Sequence, residues 1–275
     1  MTLPSDFVLT QNNLQDFEEC PRRFELRHLL HLQWPAPQSE PILELERHML
    51  LGERFHRLAQ QSFLGLPAES LASQATDEDL AAWWQTFLED PLIQGLPARR
   101  WPEITLSMPF MGYRLLCKLD LLTADDDQHF TIYDWKTNTR RPSSQKLKER
   151  WQTRLYPFIL QHAAPGLSGG QTLAPEQIEM VYWFTAEPAR PIRFSFTSDE
   201  SDGVAHLLQQ RIAEINTTLP DRFTLCSDEH LCAFCEYRSL CERGEPGSLL
   251  DTESDFEPPD TTAGLELDQI GEILL

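Results

Sequence analysis

A chain of 275 residues, 41% hydrophobic and with a formal net charge of −20 at pH 7, supports one well-buried domain with embellishments or two small ones. No run approaches the roughly 18 apolar residues of a membrane helix, and the first twenty residues lack the basic start and apolar core of a signal peptide, so a cytoplasmic protein with no membrane partner is expected. In that compartment the six cysteines read as metal or cluster ligands rather than disulfides, and the acidic excess argues against nucleic acid unless the charge is unevenly placed.

Residues 7–32 open with the cap-type Thr10 and carry Leu14 and Phe17, then, after Cys20-Pro21, Phe24 and Leu26. This spacing predicts a short helix, a break at the proline and a second helix. Cys20 sits at the break, where a thiol is either a small buried residue or a ligand turned outward. Three prolines between Trp34 and Pro41 mark a linker. Residues 42–64 read as a helix, with Leu45, Met49, Gly52, His56, Ala59 and Phe63 on one stripe and Leu51, Phe55 and Leu58 on a second. His56 therefore faces inward, as a core histidine or a ligand, and Gly52 one turn earlier permits close backbone approach. Residues 67–96 read as a helical insertion that packs through Trp83, Trp84, Phe87 and Leu88.

From Trp101 the pattern turns to strands, EITLSMPF, YRLLCKLDLL and FTIYDWKT, with Gly112 and the run Asp125-Asp126-Asp127 as turns. Glu103 reads as a surface acid at a strand end before a metal-site acid, and Cys117 as packing. Asp120 ends the apolar run LLCKLD, while Asp134 and Lys136, two residues apart, project from one face of the next strand. The hairpin brings Asp120 back beside Asp134. Two adjacent carboxylates repel unless a divalent cation lies between them, and oxygen ligands suit magnesium or manganese.

Arg140, Arg141, Lys146, Lys148, Arg150 and Arg154, against the single acid Glu149, place a basic surface directly after this stretch. Residues 144–163 read as one helix with Gln152 and Tyr156 a turn apart on the same side. Strands QIEMVYWFT and IRFSFTS and a helix near 199–217 follow. Cys232, Cys235 and Cys241 are spaced C-x2-C-x5-C, which points to metal or cluster ligation with Cys20 or Cys226 as the fourth ligand. Beyond Arg243 there are nine acids and no Lys or Arg, so residues 244–275 are expected to form a disordered acidic tail ending in the apolar patch Leu265 to Leu275.

Taken together, these residues resemble the RecB-like branch of the PD-(D/E)XK nucleases, in its iron–sulfur type found in AddB-like exonuclease domains and CRISPR-associated adaptation nucleases. The resemblance spans about Leu9 to Arg243. It rests on Cys20-Pro21-Arg22-Arg23-Phe24, on Gly52 and His56 as G-x-x-x-H, on Asp120, on Asp134-Trp135-Lys136-Thr137 as the D-Y-K-T motif, on Gln152 and Tyr156 as Q-x-x-x-Y, and on the three C-terminal cysteines. Cys117 stands where glycine is usual and Trp135 where tyrosine is usual.

The resemblance implies an α/β fold with a restriction-endonuclease-like core, a central mixed sheet flanked by helices, whose N- and C-terminal helical segments are joined by a cluster. Residues 1–243 would form the nuclease domain. It further implies Mg²⁺ or Mn²⁺ held by His56, Asp120, Asp134 and the backbone carbonyl of Trp135, with Asp120, Asp134 and Lys136 catalytic. DNA, single-stranded or at ends, would be held by Arg140, Arg141, Arg154, Gln152 and Tyr156, and the partner would be a helicase or a CRISPR integrase. The expected activity is exonucleolytic, in repair, recombination or CRISPR-related processing. The rival readings are a silent nuclease-fold subunit that binds DNA or scaffolds a complex, and a zinc-ribbon-type protein. For the fourth cluster thiol, Cys226 is nearer in sequence, but loop closure favours it by only a few kcal/mol. Cys20, with Arg22 and Arg23 beside it, has the context for a thiolate and an anionic cluster. A [4Fe–4S] cluster on Cys20, Cys232, Cys235 and Cys241 is therefore expected.

Overall fold

The computed structural model describes residues 3–33, 40–218, 223–232 and 235–243; most of the expected linker and the whole acidic tail lie outside them. Strands β2 (Arg99–Phe110) and β3 (Tyr113–Ala124) form a long antiparallel hairpin. Its turn needs left-handed backbone at Met111 and Gly112, which have φ of 51° and 84°. Strand β4 (Phe130–Lys136) returns antiparallel to β3, β5 (Ile178–Phe184) lies parallel to β4, and β6 (Ile192–Ser195) antiparallel to β5, in a mixed six-stranded sheet. The edge of β3 away from β2 is shared. A two-residue strand β1 (Val8–Leu9), too short to show alternation in the sequence, runs parallel to Arg114 and Leu115, whereas β4 pairs with Leu121 through Ala124. Asp120 lies in the interval between these two pairings. It is therefore inside a strand, because Leu121 through Ala124 continue the ladder to both β2 and β4.

Each face of the sheet buries its own apolar layer. Helices α1 (Gln11–Glu19), α8 (Trp151–Ala163) and α9 (Ser198–Thr217) pack on Leu106, Leu115, Cys117, Leu119, Leu122 and Ile132. Helices α3 (Glu40–Phe63) and α5 (Glu78–Glu89) pack on Leu121, Tyr133, Trp135, Val181 and Trp183. The segment read as an insertion, α4 (Ala68–Ala72), α5 and α6 (Pro91–Gln94), is thus the outer part of this second layer. Phe87 meets the edges of Trp135 and Trp183 at 5.3 and 5.5 Å between ring centroids, and Asp90 accepts the Trp183 indole N–H.

Local signals place the helix ends. Thr10 forms a capping box with Asn13. Cys20, in extended backbone, ends α1 and precedes Pro21 at the start of α2 (Pro21–Phe24), which continues as a π-helical turn, Glu25–Leu29. Pro41 belongs to the first turn of α3 rather than to the linker. The helix expected over 144–163 is broken into α7 (Ser144–Glu149) and α8 by Arg150, whose backbone is extended (φ −68°, ψ 142°). Its guanidinium reaches Glu19 of α1 at 2.7 Å, so a tertiary ion pair overrides the helical continuity of the sequence.

Asp16, buried on α1, receives Arg23 at 2.7 Å, Arg27 at 2.8 Å and His28 at 2.8 Å. Burial raises its carboxyl, but the His28 hydrogen bond and the two arginine charges outweigh burial and lower it from 3.8 to about 2. A depressed carboxylate stabilises the fold above its unfolded value and loses that contribution as pH falls through the folded one. Asp16→Asn is therefore expected to cost about 2 kcal/mol at neutral pH, with the difference from the unaltered chain closing below about pH 4. Urea denaturation at pH 7 and pH 3 measures it, and an equal penalty at both would assign the loss to packing rather than charge.

Candidate active site

Alternation along β3 slips by one residue at the centre of the sheet. Leu115, Cys117 and Leu119 face the α8 layer, and so do Leu122 and Ala124, while Leu121 faces α3. Strand β2 slips in step: Trp101 and Ile104 both join the α8 layer, and Glu103 between them takes φ 53°. Left-handed backbone at a non-glycine costs roughly 1–3 kcal/mol and clusters at functional sites. The register, Pro102 to Leu121 and Ile104 to Leu119, sets Glu103 opposite Asp120. Two carboxylates thereby stand side by side facing α3, where His56 Nδ1 lies 3.1 Å from Asp120 Oδ1. Ligand atoms of His56, Glu103 and Asp120 all lie within 4.8 Å of one another.

Charge is balanced locally. Lys118 forms an ion pair with Glu103. Burial and the Asp120 charge push the Glu103 carboxyl up, against Lys118 and His56. Burial also works to raise Asp120, but the His56 charge and hydrogen bond, the Trp135 N–H and Lys136 hold it below the usual carboxylate range. His56, which burial would pull down, is pushed up to about 9 by Asp120, Asp134 and Glu103. One imidazole and two carboxylates converging in this way fit a divalent cation.

The end of β4 completes the site. The β3–β4 ladder opens beyond Leu121 and Tyr133, and Asp120 Oδ2 accepts the Trp135 N–H at 2.8 Å. Thr185 N–H donates to the Lys136 carbonyl at 2.9 Å on the β5 side, so strand alternation turns the Trp135 carbonyl toward Asp120. Asp134 faces α8: its Oδ1 accepts from Gln152 Nε2 at 2.5 Å, and its Oδ2 lies 3.1 Å from Lys136 Nζ. Lys136 also donates to Gln152 Oε1 at 3.0 Å. Of the residues expected at the metal, His56, Asp120 and Trp135 meet directly and Asp134 is near enough for its charge to act on His56, but Glu103 rather than Asp134 completes the tight three-ligand group. Glu103 was detectable in the sequence, because counting back through a two-residue turn at Met111-Gly112 puts it opposite Asp120.

Helix α3 lies along this strand end through residues four apart. His48 Nε2 donates to the Thr137 carbonyl at 2.8 Å, a Cβ on Gly52 would stand 3.0 Å from Thr137 Oγ1, and His56 reaches Asp120. His48 was not anticipated, although it shares the helical spacing of Gly52 and His56.

Part of the basic segment is engaged within the fold. Arg150 is paired with Glu19, Lys148 lies 3.1 Å from Glu200, and Arg141 stacks 5.8 Å over the Phe184 ring. Arg154 is half-buried, and Glu18, lowered chiefly by its Arg211 hydrogen bond, feels its charge. Arg140 is exposed. Gln152 is 7% exposed and Tyr156 1%. Helix α8 is buried between sheet and α9, which leaves Gln152 a supporting contact to Asp134 and Lys136.

The cysteines converge at the opposite end of α1. Arg22 N–H donates to the Thr224 carbonyl at 3.0 Å, Tyr237 O–H to that of Leu32 at 2.8 Å, and Arg27 pairs with Glu236 at 2.7 Å, so the N- and C-terminal segments are tied. Cys20, Cys226 and Cys232 are buried as one cluster, with Cys235 and Cys241 half-buried beside them. Burial pushes the Cys235 thiol up to about 11, against Arg23 and Arg27. Burial and then the charges of Cys20 and Cys232 raise Cys241. Among the described residues no three of these sulfurs lie mutually within 4.8 Å. Thiols and arginine charges from both ends of the chain therefore meet here, a donor set that suits a thiolate-bound metal or an anionic cluster. Cys117 is a core residue, as expected.

Residues 8–242 match the family model of the PD-(D/E)XK nuclease superfamily. No curated protein matches the sequence. Among solved structures, the chain is similar to a "Putative exonuclease" from Eubacterium rectale, with a TM-score of 0.49 and 10% identity over 90% of this chain and 94% of that one. It is also similar to SSO0001, with a TM-score of 0.36 and 13% identity over 86% of each chain.

Two substitutions probe the metal pocket directly. Glu103→Gln is expected to weaken Mn²⁺ binding at least about tenfold, read from free Mn²⁺ by electron paramagnetic resonance; unchanged affinity would remove Glu103 from the ligand set. Gly52→Ala gains up to about 1 kcal/mol of helix propensity but drives a methyl against Thr137. The melting temperature should stay near that of the unaltered chain while Mn²⁺ affinity falls, and a fall in both would mean that α3 itself is displaced.

Proposed function

The chain belongs to the PD-(D/E)XK nuclease superfamily, and from that premise we propose that it is a Mg²⁺- or Mn²⁺-dependent deoxyribonuclease of the RecB-like, iron–sulfur type. Its substrate is single-stranded or frayed DNA, degraded from an end, and residues 1–243 act as one nuclease domain working with a helicase or integrase partner. The observation that carries the reading is the assembly of His56, Glu103 and Asp120 beside the Asp134–Lys136–Gln152 triad at one strand end.

The cation would be held by His56, Glu103 and Asp120, with Asp134 and the Trp135 carbonyl beside it, and would polarise the scissile phosphate and lower the pKa of an attacking water. Lys136, tethered by Asp134 and Gln152, presents an ammonium to the negative charge that develops on the phosphoryl oxygens as water adds and the sugar oxygen departs. Gln152 fixes both partners at once, its amide nitrogen on Asp134 and its amide oxygen on Lys136. This orients the catalytic pair before substrate arrives. The cluster would be held by thiolates from both ends of the domain, which supports a structural rather than chemical role for it.

The test is cleavage of 5′- and 3′-labelled single strands with Mg²⁺ or Mn²⁺. Asp134→Asn and Lys136→Ala are expected to reduce the rate at least about 100-fold with the melting curve retained. A near-unaltered rate in Asp134→Asn, or no cleavage by the unaltered chain with either cation, would overturn the proposal.

A further inference from the structure

The iron–sulfur reading assigns four thiols, yet the structure brings a fifth to the same place. Cys226 Sγ lies 3.6 Å from Cys232 Sγ and within hydrogen-bonding reach of the Cys20 thiol. Cys226 and Cys232 are equally buried, each 7% exposed. Among the described residues the buried members of its cluster are all cysteines, and the apolar neighbour is the partly buried Leu231. Cys226 is not a loosely placed residue. Its carbonyl accepts from Arg243 Nη2 at 2.9 Å, and its sulfur lies 3.3 Å from the Asp228 carbonyl.

Distance decides what such a pair can do. Two sulfurs on one tetrahedral metal atom, at about 2.3 Å from it, stand about 3.8 Å apart. A [4Fe–4S] cluster takes four cysteines, one to each iron, so ligands of different irons are separated further by the metals between them. Sulfurs at 3.6 Å therefore reach the same iron and not two. We propose that Cys226 and Cys232 are interchangeable ligands of a single iron of the cluster, an inference that rests on the iron–sulfur reading above. Exchange moves one proton, from the incoming thiol to the departing thiolate, and no electrons. It leaves Cys20, Cys235 and Cys241 in place on the other three irons.

The experiment is iron and acid-labile sulfide content of full-length protein purified anaerobically, with absorbance near ~400 nm. Alanine is used because serine oxygen can itself ligate iron. Cys226→Ala and Cys232→Ala are each expected to keep about half or more of the parental iron, and the double variant less than about a tenth. A folded Cys232→Ala that loses its iron overturns the proposal and leaves the cluster reading standing, as does a double variant that keeps it. An unaltered chain without iron overturns both. A second measurement avoids substitution: limited treatment of the loaded chain with methyl methanethiosulfonate, followed by peptide mass mapping. Modification divided between Cys226 and Cys232 with iron retained supports exchange, and modification confined to Cys226 overturns it.

Discussion

Two carboxylates forced side by side at the centre of a sheet are the constraint around which this protein is arranged. Glu103 and Asp120 face each other across the β2–β3 hairpin and would repel in a half-buried site. Each neighbour answers that repulsion. Lys118 pairs with Glu103, His56 and the Trp135 N–H bind Asp120, and Lys136 adds charge from the next strand. The slip in alternation is what turns both acids toward α3, and the left-handed backbone at Glu103 is its local cost. The candidate metal pocket follows from strand geometry more than from any single motif.

That geometry requires α3 to hold its rotation and height over the strand end. The aromatic layer supplies the rigidity: Phe55 stacks on Trp183 with centroids 6.1 Å apart, Phe63 stacks on Trp135 at 6.2 Å, and Phe87 fills the space between. Close packing of large rings resists sub-ångström adjustment. The tryptophan at position 135, where the family usually has tyrosine, belongs to this layer, so its ring is a packing element while its backbone serves the site.

Much of this was legible in the sequence because it depends on short-range spacing. The alternation of FTIYDWK put Asp134 and Lys136 on one face, helical periodicity turned Gly52 and His56 inward, and Pro21 placed the break at Cys20. What escaped depends on tertiary placement. The left-handed residue at Glu103 has no signature in a non-glycine, and β1 is too short to alternate. Arg150 breaks a helix through a partner 131 residues away. The ion pairs of the basic run were equally out of reach, because charge is countable and pairing is not; Glu19 and Glu200, far off in the chain, pair with two of its members.

The same ion pair links the two chemical centres. Cys20 ends α1, and the residue before it, Glu19, holds both Arg23 and Arg150. Arg150 precedes α8, whose first N–H, from Trp151, donates to Gln15 of α1 at 3.1 Å; the next residue is Gln152, fixed on Asp134 and Lys136. A thiol that anchors α1 therefore also sets the start of α8, through contacts that are contiguous and buried or half-buried throughout. Glu19 is in this way a contact shared by the end of α1 and the start of α8. The integrity of the cysteine clasp and the orientation of the Asp134–Lys136 pair are consequently two readings of one packing arrangement.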